Sequence, residues 1–183
     1  QYTSSKDEKR SLEISKNCIS GKVYNARWVL ERAIRDHAMQ IDKERVKVAS
    51  LQLKTFLQYI QNAESKEQLR GYEGEAASIY FSVFDELILQ QKKEFSFQGR
   101  NRRPPMDNVN AMLSFVYTLL TNQITSALES VGLDPCVGYL HTERPGRASL
   151  ALDLIEEFRA VYADRFVLSL INKKIAVSYT HLT

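Results

Sequence analysis

The sequence predicts an all-α protein, and three observations carry that prediction. Only seven glycines and four prolines occur in 183 residues, which is sparse for a chain built of strands and tight turns. The long uninterrupted stretches repeat their apolar residues at three- and four-residue spacing, the period of a helix with one buried face. No internal repeat or low-complexity tract divides the chain, so its helices are expected to pack as one domain of six or seven helices.

Taken in order, the first helix is expected from about Asp7 to Asp36, with Leu12, Ile19, Val23, Ala26, Leu30 and Ile34 on one stripe and Gly21 softening its middle. A second covers about Lys43 to Asn62 through Val46, Leu51, Leu53, Phe56, Leu57 and Ile60. The third starts behind Ser65, an N-cap residue with Gln68 three positions on, close to a capping box. Its apolar face (Leu69, Ala76, Ala77, Tyr80, Val83, Phe84 and Leu87) carries it to about Gln91. The clearest break is Lys92 to Pro105. Asp107 or Asn108 then caps a helix to about Val131, stopped by Gly132 at the C′ position. Leu133 to Gly146 reads as irregular, Ala148 to Lys174 as a helical pair, and Ile175 to Thr183 as strand-like without a partner.

Composition narrows the function classes without choosing one. A net charge of +3 and a pI near 8.8 permit a nucleic-acid partner but do not demand one. Cys18 and Cys136 lack metal-ligand spacing and read as two reduced, buried thiols of a cytosolic protein. No apolar run approaches the roughly 18 residues of a membrane span. The polar N-terminus has no signal-peptide core, and the absence of an initial methionine reads as a fragment or processed product.

Three places carry chemistry. Glu73 falls on the apolar stripe beside Leu69, Ala76 and Ala77, where a carboxylate needs a cation, an arginine or water. Gly71 and Gly74 flank it and leave room for a backbone or a ligand to approach. His141 stands between an apolar run and a Pro-Gly loop, at an element end where ligands are often positioned. Asp153 and Glu156 share a helix face at i and i+3, and a polyvalent cation would relieve their repulsion. The residues alone do not choose between those two as ligand. Oxygen donors with one imidazole suit Mg²⁺ or Mn²⁺ better than zinc.

Two further features point to phosphates. Asn110, Ser114, Tyr117 and Thr121 form a polar stripe opposite Met112, Val116, Leu119 and Leu120. The loop holding Lys92, Lys93, Arg100, Arg102 and Arg103 is basic, with Phe95 and Phe97 interleaved for stacking on bases. Arg144 and Arg147 lie near His141 and can meet the same phosphate.

In this order the segments resemble one family. The run Gln68 to Phe81, the block Arg102 to Asp107 with Asn110 and Ser114 to Tyr117, and the block Gly138 to His141 continuing through Ser149 to Arg159 are similar to the CRISPR-associated spacer-acquisition endonuclease. This is the integrase of CRISPR adaptation, and the likeness is to its type I members, over about residues 1 to 174. The resemblance implies a helical catalytic domain over 1–174, with the family's N-terminal β-rich domain and basic C-terminal tail absent. It leaves 175–183 as a tail foreign to the family. It assigns Glu73, His141 and Glu156 as catalytic metal ligands for Mg²⁺ or Mn²⁺, with Asp153 as a supporting carboxylate. It implies DNA contacts from Arg102, Arg103, Asn110, Tyr117, Arg144 and Arg147. The implied partners are double-stranded DNA, as prespacer and CRISPR repeat, and the small companion adaptation protein in a prokaryotic cytoplasm. A family homodimer is in doubt for this chain. An all-α Mg²⁺-dependent nucleotide pyrophosphatase is the competing enzyme class, but such enzymes pair E-x-x-E with E-x-x-D helices, and this chain has one D-x-x-E helix. An inactive helical interaction module is the third reading.

Overall fold

Helix N-caps set the boundaries of the fold. In the computed structural model, which describes residues 1–141 and 144–177, α1 (Tyr2–Lys6) ends at Asp7. The Asp7 carboxylate then accepts from Arg10 N and starts α2 (Glu8–His37). Asp42 does the same for α3 (Lys43–Gln61) through Arg45 N. Ser65 caps α4 (Lys66–Ser82) through Gln68 N, while the Gln68 side chain reaches back to Glu64 N, one residue beyond a strict capping box. Asp107 caps α5 (Asn108–Ser130), the longest helix after α2. At its far end Gly132 takes φ of +75°, and Leu133 N returns to Leu128 O at 2.9 Å.

Two expected elements differ. The third helix stops at Ser82, not near Gln91, and Phe84–Leu87 forms a single 3₁₀ turn. The cause is aromatic packing: Phe84 meets Tyr80, Phe81 and Phe97, and the Asp85 carboxylate holds Phe97 N, so the chain folds back onto itself. The final pair is one continuous helical run: α6 (Ser149–Phe158), a π-helical segment (Arg159–Asp164) and α7 (Arg165–Asn172) follow without a break. The described residues contain no strand; 175–177 are irregular, and 178–183 of the expected tail lie outside them.

The hub is α2. Helices α1, α3, α4 and α6 and the π segment all pack against it, around a core that fully buries Ile19, Leu30, Leu53, Leu69, Leu113 and Ile155. Gly21 does not soften the helix. It faces α6: a Cβ there would lie 2.9 Å from Glu157 Cγ. Cys18 is buried as expected, but Cys136 is exposed. Leu51, expected on the apolar stripe of α3, is exposed as well. Among the described residues no helix is long and apolar enough to cross a membrane.

Asp107 both caps α5 and holds the Asn110 amide at 2.7 Å. Asp107→Ala is expected to lower unfolding free energy by about 1 kcal/mol or somewhat more, read by urea denaturation.

Candidate metal centre

Three elements converge on one lysine. Because Gly21 lets α2 close on α6, the next residue, Lys22, projects between α4 and α6. Its ammonium reaches Glu73 Oε1 from α4 and, at 2.7 Å, Glu156 Oε2 from α6. Arg159, the first residue of the π segment, grips the other oxygen of Glu156 at 3.0 Å. Glu73 is therefore the carboxylate on a packed face that its spacing predicts, satisfied by a lysine that the sequence reading did not single out. Gly71 and Gly74 are pressed by no neighbour, and Gly74 opens onto a cleft.

His141 is held by a different carboxylate. Asp153, almost fully buried, accepts from the backbone N–H groups of Tyr139 (2.6 Å), Leu140 (3.1 Å) and His141 (3.0 Å). It also meets the His141 ring at Nδ1, 2.7 Å away. A carboxylate only accepts, so Nδ1 carries the proton and Nε2 is the nitrogen a ligand would take. Gly138 makes this possible, since a Cβ there would fall 2.7 Å from Ser149 Cβ and 3.0 Å from Asp153 Oδ2. Arg70 adds a bond to Leu140 O. Asp153 and Glu156 share a helix but not a partner. One shapes the histidine loop and the other meets Lys22 and Arg159, so their adjacency is resolved without a shared cation.

Electrostatics match the geometry. Burial pushes the Glu156 carboxyl up, but Lys22 and Arg159 outweigh it and hold it at about 2, below its ordinary 4.5. Its Oε2 is buried and the approach of Lys22 is an ion contact without the angle of a hydrogen bond. Two carboxylates and an imidazole are a donor set that Mg²⁺ or Mn²⁺ accepts, and that oxygen gives such an ion a ligand atom. Among the described residues no three His, Cys, Asp or Glu side chains stand close enough to share one ion as they are. Lys22 stands between the two glutamates. The donors fit the ion in kind.

A cleft of about 710 Å³ opens beside this pair, lined by Lys22, Glu73, Arg100, Arg102 and Arg159 among others. Glu156 and His141 do not line it. Arg102, Arg103 and Arg144 are exposed and Arg147 half-buried, all open to a phosphate. Asn110 and Tyr117 are not open in this way, which corrects the expected DNA-facing stripe. Asn110 is fully buried, accepting from Arg100 and Asn101 N and donating to Gly99 O. Tyr117 donates to Asp164 at 2.5 Å, and its ring lies between the guanidinium groups of Arg100 and Arg159. On the other side of α5, Leu119 is exposed. Phe95 and Phe97 are core residues, so they stack on no base. The basic loop is thus anchored by Arg100 and its aromatics and exposes Arg102 and Arg103. Asp164, which accepts from both Tyr80 and Tyr117, was not anticipated; its partners lie in other elements and leave no local pattern.

With this geometry in view, the comparisons with known proteins can be set beside it. The profile of the family described as CRISPR associated protein Cas1 matches residues 1–180. The chain is 51% identical over 173 residues to the CRISPR-associated endonuclease Cas1 1 of Chlorobaculum tepidum, covering 94% of this chain and 50% of that one. A solved casposase bound to integration product superimposes with a TM-score of 0.82 at 30% identity, over 97% of this chain and 47% of that one. A partial Cas6-RT-Cas1–Cas2 complex gives 0.83 at 26% identity, over all of this chain and 54% of that one. The chain spans about half the length of these relatives.

Two measurements probe the centre. Asp153→Asn sets an NH₂ against a cluster of N–H donors. Amide exchange at Tyr139, Leu140 and His141 is expected to accelerate at least tenfold while α2 and α3 keep their protection. The second concerns Asp164. Burial lifts its carboxyl to about 6 from 3.8, against the pull of the Tyr117 and Tyr80 hydrogen bonds and of Arg159 and Arg100. The folded chain therefore keeps a proton there that the unfolded chain releases. The resulting stability is whole below pH 3.8 and is lost as pH rises through about 6. Glu156 has the opposite sign: its contribution is present above pH 4.5 and is lost as pH falls toward about 2. Urea denaturation at stepped pH is expected to show wild type losing stability relative to Asp164→Asn between pH 3.8 and about 6.

Proposed function

Because this chain belongs to the Cas1 family of CRISPR-associated proteins, we propose that it is the catalytic portion of a metal-dependent DNA endonuclease and integrase that inserts short duplexes into a CRISPR array. In the reaction, the 3′-hydroxyl of the incoming DNA attacks a phosphodiester of the array. A new P–O bond forms, the old P–O bond breaks, and the proton of the attacking hydroxyl passes to solvent. Water in place of that hydroxyl gives a nick. One observation supports the reading: carboxylates from two separate helices, Glu73 and Glu156, meet on one ammonium, and the helix that carries Glu156 also carries the buried Asp153 that braces His141.

Each residue then has a task. Glu73, Glu156 and Nε2 of His141 would hold Mg²⁺ or Mn²⁺, which when bound supplies a Lewis acid for the phosphate oxygens. Asp153 fixes the His141 ring and the backbone that carries it. Arg159 keeps Glu156 ionised and oriented. Arg102 at the cleft and the exposed Arg103 next to it in the chain, with Arg144 and Arg147 near His141 in sequence, neutralise the DNA backbone and give binding that falls with salt. Asn110 and Tyr117 contribute from inside, by fixing Arg100 and the root of the basic loop. The structural likeness includes a partial Cas6-RT-Cas1–Cas2 complex, which supports the small companion protein as partner, and a casposase bound to integration product, which supports an integration reaction. The working assembly would act in a prokaryotic cytoplasm.

Glu73→Ala is expected to abolish Mn²⁺-dependent nicking of duplex DNA, at least a hundredfold in rate, while circular dichroism keeps its helical signal. Full activity in that variant would sink the assignment. Arg102→Ala with Arg103→Ala is expected to weaken DNA binding for all sequences alike and to reduce the salt slope by about 2.

A further inference from the structure

The ion pair at the centre holds a cation of its own. Lys22 is mostly buried, with 14% of its side chain exposed, and its stem lies along rigid α2 where Gly21 brings α6 close. Its ammonium touches a carboxylate oxygen of Glu73 and one of Glu156 at once. Two carboxylates this close repel each other unless positive charge stands between them. Arg159 touches Glu156 on its other oxygen, so of these two cations only Lys22 joins the pair.

We propose that Lys22 is a resident counterion that keeps the carboxylate pair assembled before metal arrives and competes with the divalent cation for the same place, so that it sets the affinity of the site. The inference rests on reading Glu73 and Glu156 as metal ligands. A divalent cation held through Glu73 Oε1 and Glu156 Oε2, the two oxygens that the ammonium touches, would take the position that the ammonium holds. The cleft that Lys22 lines gives the displaced ammonium a solvated place to go. The lysine then stands on a wall that also carries Arg45, Arg100, Arg102 and Arg159.

The test is Mn²⁺ titration by calorimetry on the whole chain, beside thermal unfolding with and without Mn²⁺. Lys22→Met keeps the length of the apolar stem and removes the charge. It is expected to bind Mn²⁺ about tenfold more tightly than wild type, or about 1.4 kcal/mol. Its metal-free Tm is expected to fall, and saturating Mn²⁺ to raise it by more than it raises that of wild type. Equal or weaker Mn²⁺ binding by Lys22→Met overturns the proposal. Should that variant not fold without metal, Lys22→Arg carries the test. Its guanidinium can fork across both carboxylates and is expected to weaken Mn²⁺ binding, and tighter binding overturns the idea. Glu73→Gln separates the two claims: undiminished Mn²⁺ binding there would remove the metal site itself, whereas lost binding there with no gain in Lys22→Met would remove only the role of the lysine.

Discussion

A buried carboxylate must be given countercharge, and much of the centre of this molecule follows from supplying it to Glu156. Its side chain is 5% exposed, and burial without a partner would leave it protonated and unable to bind a cation. Two positive groups prevent that, and each brings a piece of architecture with it. Lys22 requires α2 to lie close along α6, which Gly21 permits by having no side chain. Arg159 requires the helix after Phe158 to present its first turn toward both Glu156 and the ring of Tyr117. Tyr117 in turn is fixed by Asp164, five residues further along the same π segment. This buried carboxylate, the hub helix and the basic loop are thus one electrostatic unit.

The histidine side of the centre is built by a separate device. A loop has many unpaired amides, and three consecutive ones here point at Asp153. The same carboxylate orients the imidazole, so the loop backbone and the His141 ring are positioned by one side chain on a helix. This removes the usual weakness of a site carried on a loop, where the ring can wander. Gly138 is the condition for it, because any side chain there would strike Ser149.

Much of this was legible in the sequence, and the illegible parts share a cause. Helix limits came through where a capping side chain or a C′ glycine announced them, as at Asp7, Ser65, Asp107 and Gly132. Glu73 stood out as a carboxylate on an apolar stripe, His141 by its place at an element end, and Asp153 and Glu156 by sharing one helix face. The limits failed where distant packing overrides local pattern: apolar spacing extends the helix past Ser82, but Phe97 stacks on Phe84 and the chain turns. Phe95 and Phe97 read as exposed because charges surround them, yet only the charges face water. The polar stripe of α5 was read correctly as a stripe and wrongly as a surface, since Arg100 and Asp164 meet it from elsewhere in the chain. Lys22 was invisible because a lysine on a long helix is normally solvated. The one local hint was the glycine before it, in the middle of a helix where glycine costs about 1 kcal/mol.

The π segment has a meaning beyond the contacts it makes. A π turn closes over one more residue than an α turn, so Arg159–Asp164 acts as an insertion absorbed without a break in the helix. Every residue after it is rotated by about 100° relative to an uninterrupted α-helix, the angle of one residue in 3.6 per turn. That phase offset decides which side of α7 turns Val167, Leu168 and Ile171 into the core while α6 presents Asp153 and Glu156. Loss of a single residue here would leave the composition of the helix almost unchanged and yet set its two halves out of register with each other. Outside Arg159 and Asp164, whose side chains have partners of their own, length is what this stretch of chain has to keep.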